Sequence, residues 1–255
     1  MRRFVTSDSH GGCKALIQVL ERCGFDHEND LLIFLGDVVD GWPETKESID
    51  LLLSIKNLVY LLGNHDQWAL DYYTGNLAGK ESELELWLLQ GGTSTVKSYG
   101  IGKPMQQEHI AFLKNARNFY LSEDNILFVH AGYDTAKPIQ DTDASYLIWS
   151  RDFLTRYYTM HMQQAPIHLD TYKNIYIGHT PTIALDREQT EPLRMGNITL
   201  LDTGAAFTGC LSVMDVDSKE VWQSDKVMTL YPEHEGRNGV SWEKGQKETS
   251  GLQHS

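Results

Sequence analysis

The sequence predicts an α/β fold. Two observations carry that expectation: short apolar runs alternate with stretches of helical period, and each apolar run stops abruptly at glycine and polar residues. The opening run spans 3–6, and further runs follow at 31–35 and 58–62. Between them, 14–23 and 44–54 repeat apolar residues at the spacing of one helix face, giving a β-α-β-α-β opening. That order implies parallel strands joined by right-handed crossovers.

The middle of the chain changes character. Helical period returns at 83–90 and at 105–118, the second beginning beside Pro104 at a first-turn position. Residues 141–162 read as mostly helical or irregular and are rich in aromatics, while 126–130, 175–177 and 198–201 are further apolar runs. Residues 214–221 read as a hairpin turning at Asp217-Ser218. After Pro232 the apolar periodicity ends. The expected division is therefore a folded domain over 1–232 and a poorly structured tail over 233–255.

Composition bounds the partners. The 255 residues carry 22 Lys+Arg against 35 Asp+Glu, a formal charge of −13, with 41% hydrophobic residues. That is a globular composition, long enough for a large core. So acidic a chain has no row of cations to neutralise nucleic-acid phosphates and no polybasic membrane anchor. Cys13, Cys23 and Cys210 form no Cys-x-x-Cys pair, and no apolar run approaches the ~20 residues of a membrane span. A soluble cytoplasmic protein in a reducing compartment is expected. Cys13 falls on an apolar helix stripe with Leu16, Ile17 and Leu20, where it would pack in the core. Ten histidines in such a chain are the unexplained feature.

Four of the histidines, His10, His65, His130 and His179, fall at strand ends; the other six lie outside the motifs. The runs lead into Asp8-Ser9-His10-Gly11, Gly36-Asp37-Val38-Val39-Asp40, Gly63-Asn64-His65-Asp66, His130-Ala131-Gly132 and Gly178-His179-Thr180-Pro181. Carboxyl ends of strands in open α/β sheets are where sites form. Taken singly, each has a plainer reading: Asp8 or Asp37 as a helix cap, Asn64 as a turn residue, a lone histidine as a hydrogen-bonded structural group. Five tips of matched chemistry point instead to one shared metal site. Its carboxylate, amide and imidazole donors suit Mn²⁺ first, with Fe or Zn²⁺ as alternatives, and are too nitrogen-rich for Ca²⁺. Asp8, His10, Asp37, Asn64, His130 and His179 exceed what one ion with open positions can hold, so two ions are expected.

In this order, Asp-x-His-Gly, Gly-Asp-x-x-Asp, Gly-Asn-His-Asp, His-Ala-Gly and Gly-His-Thr-Pro resemble the motifs of the calcineurin-like dinuclear metallophosphoesterases. The likeness is greatest to the phosphoprotein phosphatase branch in its bacterial and phage form. It extends to Trp149-Ser150-Arg151 and Leu201-Asp202-Thr203-Gly204-Ala205. The resemblance implies a four-layer αββα sandwich, with 1–232 as its catalytic domain. It also implies that Asp8, His10 and Asp37 hold one metal, and that Asp37 bridges to a second completed by Asn64, His130 and His179. A hydroxide shared by the ions would attack phosphorus directly. His65 would protonate the leaving oxygen, Asp40 would orient His65, and Arg151 would bind phosphate oxygens.

Two departures from that pattern are visible. His179 is followed by Thr180-Pro181, without the next-but-one histidine of many metallophosphoesterases, which favours the phosphoprotein phosphatase branch. Gly41-Trp42-Pro43 stands where that branch usually has Arg-Gly, so a second phosphate-binding arginine is missing. Trp42 would pack as core or stand beside the site. The segment 95–100 reads first as a connecting loop and second as a substrate rim.

The resulting expectation is a phosphomonoesterase acting on a phosphoserine/threonine protein. A dinucleoside polyphosphate hydrolase is the alternative, and a non-catalytic metal-binding scaffold a third reading. His65 and Asp40, both present, argue against the scaffold.

Overall fold

In the computed structural model the described residues are 1–238. Among the described residues, ten short strands form two sheets. The first five are β1 (Arg3–Thr6), β2 (Leu31–Phe34), β3 (Asn57–Tyr60), β4 (Phe119–Leu121) and β5 (Ile126–Val129). The rest are β6 (Asn174–Ile177), β7 (Leu193–Met195), β8 (Ile198–Leu200), β9 (Ser212–Asp215) and β10 (Val221–Gln223). One sheet has the order β10-β9-β1-β2-β3 and the other β4-β5-β6-β8-β7. The expected parallel opening is present, with Phe4 opposite Leu32 and Leu32 opposite Leu58. Leu127, Ile175 and Ile198 mark the equivalent parallel trio in the second sheet. The hairpin at Asp217-Ser218 joins β9 and β10 antiparallel.

Side-chain alternation along these strands shows how the sheets stack. In β1, Phe4 packs outward under helices while Val5 packs inward. In β5, Ile126 and Phe128 point inward and Leu127 and Val129 outward. Inward-facing Val5, Ile33, Val59, Phe128, Tyr176 and Met214 form a single core between the sheets, and Phe128 stacks on Tyr176 with ring centroids 5.1 Å apart. Period-two alternation on strands buried on both faces is what two packed sheets, each covered by helices, require. The result is the four-layer αββα sandwich.

Over the outer face of the first sheet lie α1 (Cys13–Arg22), α2 (Thr45–Leu53), α3 (Asn64–Tyr73), α4 (Glu81–Trp87), α5 (Thr93–Tyr99) and α6 (Gln107–Lys114). Helices α7 (Ala144–Trp149) and α8 (Asp152–Met162) cover the second sheet, followed by the short α9 (Thr182–Leu185) and α10 (Val227–Leu230). On α1, Cys13, Leu16 and Leu20 are buried as the stripe predicts, but Ile17 faces solvent.

Several elements differ from the sequence expectation. Asn64, whose plainer reading is a turn residue, instead opens α3 with His65 and Asp66, because the Asp66 carboxylate accepts the Gly63 N–H and caps the first turn. Residues 93–99 are a helix, not a loop or rim. Thr, Ser and Val are weak helix formers, and the helix is held by tertiary contacts of buried Thr95 with Asp40 and Thr45. Trp42 is core: it is fully buried, donates from Nε1 to the Ala205 carbonyl at 2.8 Å, and stacks on Tyr231. Of the expected tail, 233–238 are described and carry one partly buried side chain of consequence, Arg237; 239–255 lie outside the described residues.

Candidate metal centre

The parallel strands of both sheets end at one edge, and every motif from the sequence lies there. Backbone bonds between loops hold them together: Asp8 N–H donates to Gly36 O, His10 N–H to Asp37 O and Gly178 N–H to His130 O. Five of these residues, Asp8, His10, Asp37, Asp40 and His179, have φ between 47° and 69°. Positive φ in residues with side chains costs energy and concentrates at functional sites. Here it aims successive side chains inward from very short loops.

Two groups of ligand atoms emerge. One is formed by Asp8, His10 and Asp37, the other by Asp37, His130 and His179, with the atoms of each group within 4.8 Å of one another. Asp37 belongs to both. All five side chains are buried. Asn64 Oδ1 joins the second group, 3.1 Å from His130 Nε2 and 2.9 Å from His179 Nδ1.

The hydrogen bonds show that these groups fit a cation. His130 Nδ1 lies 2.7 Å from the Leu35 carbonyl and must carry the proton. Burial lowers its pKa to about 4, so the ring is neutral and Nε2 is a bare lone pair. That lone pair faces Asn64 Oδ1 and, at 3.5 Å, Asp37 Oδ2. His10 repeats the arrangement: its Nδ1 serves the Val39 and Asp40 carbonyls, and Nε2 faces Asp37 Oδ2 at 3.8 Å. Acceptors converging on acceptors are reconciled by a metal ion, and a backbone carbonyl on the far ring nitrogen is how metal-binding imidazoles are oriented. Burial pushes the Asp37 carboxyl up to about 7, and burial with the charges of Asp202 and Asp37 raises Asp8. Positive charge at this point relieves all of these costs.

Two residues without an expected role complete the frame. Asp66 accepts from the N–H groups of Asp37, Val38 and Gly63 and from Tyr60 Oη, tying two strand-end loops to one carboxylate. Its only sequence signal is its place in Gly-Asn-His-Asp. Asp202, at the end of β8, is buried on the cavity wall and accepts from Gly204 N–H; burial pushes its carboxyl up to about 7. The run Leu201-Asp202-Thr203-Gly204 after a strand could have suggested it.

A cavity of about 190 Å³ opens over the cluster. Asp37, Asn64, His65 and His179 form its floor, Arg151 and Arg237 contribute guanidinium groups, and Trp68, Trp149 and Phe207 give it an aromatic wall. Arg151 reaches it from the junction of α7 and α8. His65 Nδ1 is 2.8 Å from Asp40 Oδ2. Asp40 also accepts from Trp87 Nε1 at 2.8 Å and Thr95 Oγ1 at 2.6 Å. Burial raises the Asp40 carboxyl and lowers the His65 imidazole, and the Thr95 and Trp87 donors act against that by stabilising the carboxylate. The structure therefore gathers all the expected residues at one edge: the six metal-ligand candidates, His65, Asp40 and Arg151.

A buried carboxylate–imidazole cluster at the shared edge of an αββα sandwich defines a metallophosphoesterase. Residues 1–194 match the family model for calcineurin-like phosphoesterases, and the chain belongs to that family. The family uses a dinuclear metal centre, which the two buried groups fit. The chain is similar to serine/threonine-protein phosphatase 1 of Salmonella typhimurium, with 28% identity over 217 residues, covering 82% of this chain and 89% of the relative. It is also similar to a symmetrical bis(5'-nucleosyl)-tetraphosphatase of Pseudomonas fluorescens, 29% identical over 134 residues, covering 52% of this chain and 42% of the relative. Among solved structures, one provisionally described as a diadenosine tetraphosphatase superposes with a TM-score of 0.62 at 16% identity, covering 87% of this chain and 92% of the other. At that identity the likeness speaks to fold. No helix among the described residues is long and apolar enough to cross a membrane.

Proposed function

We propose that the protein is a metal-dependent phosphomonoesterase acting on phosphoserine or phosphothreonine in proteins. The observation that carries this reading is the buried His65–Asp40 pair opening into the same cavity as the metal-ligand cluster and Arg151. That combination supplies a proton donor, a charge centre and an anion clamp around one phosphate. Asp8, His10 and Asp37 would hold one ion, and Asp37, Asn64, His130 and His179 the other, with Mn²⁺ the first choice for this oxygen–nitrogen set. Two bound divalent ions would supply activated water near neutral pH and neutralise phosphate charge.

The chain's own residues do the remaining work. Arg151 binds phosphate oxygens through its planar fork. Asp40 fixes the His65 ring through Nδ1, which leaves Nε2 to give its proton to the departing alkoxide. Protein substrate is favoured because the Salmonella phosphatase is matched over 89% of its length.

One observation favours a second reading, a dinucleoside polyphosphate hydrolase. Trp68 and Trp149 meet edge-to-face at 4.6 Å on the cavity wall, a surface on which a nucleobase could stack. A Mn²⁺-loaded sample offered an aryl phosphate, a phosphothreonine peptide and diadenosine tetraphosphate separates the readings. Faster turnover of the peptide supports the first, and preference for the dinucleotide supports the second. Full activity after removal of all divalent metal would reject both.

A further inference from the structure

Arg237 lies beyond every motif and in the segment expected to be tail, yet its guanidinium lines the cavity beside Arg151, Asp37 and His179. Its backbone N–H donates to Ala206 O at 2.9 Å, and its guanidinium sits over the Phe207 ring at 5.2 Å. Nη2 donates to Gln90 Oε1 at 2.7 Å, Nη1 lies 3.5 Å from His10 Nε2, and Nε is fully covered without a hydrogen-bond partner. No carboxylate pairs directly with it among the described residues, although Asp37, Asp40, Asp202 and Asp8 all attract its charge. A cation taken largely out of water without a partner carboxylate is costly unless an anion completes it.

The chain is shaped to admit this side chain. A Cβ at Gly41 would come within 3.2 Å of Arg237 Cγ, and one at Gly91 within 3.3 Å, so two glycines clear the path of the arginine stem. Both have φ of +111°, where other residues are strained, so neither is easily filled. Gly236, with φ of +58°, lets the backbone pass against the Trp42 ring, where a Cβ would collide with Cζ2. Trp42, stacked on Tyr231 and fully buried, is thus the platform on which Gly236 lies, one residue before Arg237.

We propose that Arg237 is a second phosphate-binding residue of this site, delivered from the C-terminal segment into space left open by Gly41 and Gly91. It lines the same cavity as Arg151, so both guanidinium groups are available to one bound phosphate. Position 41 is also where the sequence departs from the Asp-Arg-Gly pattern, so a guanidinium missing from one loop is supplied by another part of the chain. This proposal rests on the phosphatase reading, and its test separates the two.

The test uses the full metal-loaded chain with inorganic phosphate as probe, titrated calorimetrically into wild type, Arg237→Ala, Arg237→Lys and Arg151→Ala, with bound metal measured for each. Arg237→Ala should weaken phosphate binding and raise KM by roughly 10- to 100-fold, the range for removing a charge-assisted hydrogen bond. Metal content should not fall, and lysine should recover part of the affinity. Phosphate affinity unchanged in Arg237→Ala overturns the proposal while leaving the phosphatase reading intact. Phosphate binding that depends on Arg237, in a protein that hydrolyses no phosphoester, overturns the phosphatase reading alone.

A second measurement needs no variant. Trypsin cuts after Arg237, and phosphate held by that side chain should slow the cut about tenfold at roughly ten times its dissociation constant. Cleavage unaffected by saturating phosphate would equally overturn the assignment.

Discussion

The Nδ1 atom of His65 stands 2.8 Å from Oδ2 of Asp40, and neither side chain is open to bulk solvent. With Nδ1 committed, only Nε2 can exchange a proton with a substrate. A leaving alkoxide needs that proton and a nitrophenolate does not. His65→Asn should therefore slow an alkyl phosphate by roughly 100-fold or more, within the usual range for a general acid, and p-nitrophenyl phosphate much less. Bound metal should be unchanged. Equal losses for both leaving groups would remove His65 from the acid role.

Trp87 supports the same carboxylate from behind. Its Nε1–H donates to Asp40 Oδ2, and the indole is fully buried. Trp87→Phe keeps most of the packing and deletes the donor. Losing a hydrogen bond to a buried charge should cost about 1.5–3 kcal/mol of stability, read from urea unfolding midpoints. The activity lost should fall mainly on alkyl substrates, because Asp40 then holds its proton more readily. Uniform loss across substrates would mean that Trp87 acts through packing alone.

Asp37 is the carboxylate common to both ligand groups. Asp37→Asn keeps the shape and removes the charge, so both ions should be lost together rather than one. Elemental analysis after desalting checks this. Activity should fall by more than the roughly 10–100-fold that follows loss of an outer-shell partner. Retention of one tight ion would show that the two groups are independent sites.

What could be read from the sequence divides along a physical line. The parallel strands and their tips were legible because a buried strand needs a contiguous apolar run, and a ligand loop needs polar residues and glycine immediately after it. Asp8, His10, Asp37, Asn64, His130 and His179 all follow that rule. Edge strands β4 and β7 were not legible, since each pairs on one side only and its side chains are mostly not buried, so no contiguous buried run marks it. Helix α5 was hidden because its residues favour other conformations, and tertiary hydrogen bonds of Ser94, Thr95 and Ser98 to Gly41, Asp40, Thr45 and Lys46 override them. Arg237 left no local signal at all. Its role depends on glycines far away in the chain and on a tryptophan platform, and such complementarity exists only after folding.

Gly63 shows how close the packing around Asp37 is. A Cβ there would overlap the Asp37 carboxylate and lie 2.5 Å from its backbone nitrogen. Its φ of −96° is ordinary, so the constraint is space and not backbone strain. Gly63→Ala should push Asp37 out of register with His10 and His130, weakening metal retention while secondary structure by circular dichroism stays intact. Gly75→Ala, where nothing lies within 4 Å of the added Cβ but φ is +82°, is the comparison for backbone strain without crowding. Unaltered metal affinity in Gly63→Ala would show that the loop can relax.

Far from the site, Arg3 joins the two sheets through charge. Its guanidinium donates to both Asp124 oxygens at 2.8 and 2.9 Å and to Asp217 at 3.1 and 2.5 Å. These hydrogen bonds hold both carboxyls below their usual range. A folded value below the unfolded one means that the stabilisation is fully present above the unfolded value, near ~3.9, and is lost as pH falls through the folded value. Both carboxylates are substantially exposed, so Arg3→Gln should cost ~1 kcal/mol or less at pH 7. The gap between wild type and variant, measured as urea midpoints, should hold constant from pH 7 to about 5 and shrink below about 4. Raised salt should narrow it at neutral pH as well, because exposed charges are screened. A gap independent of both pH and salt would mean that Arg3 stabilises the sheets through its aliphatic stem rather than its charge.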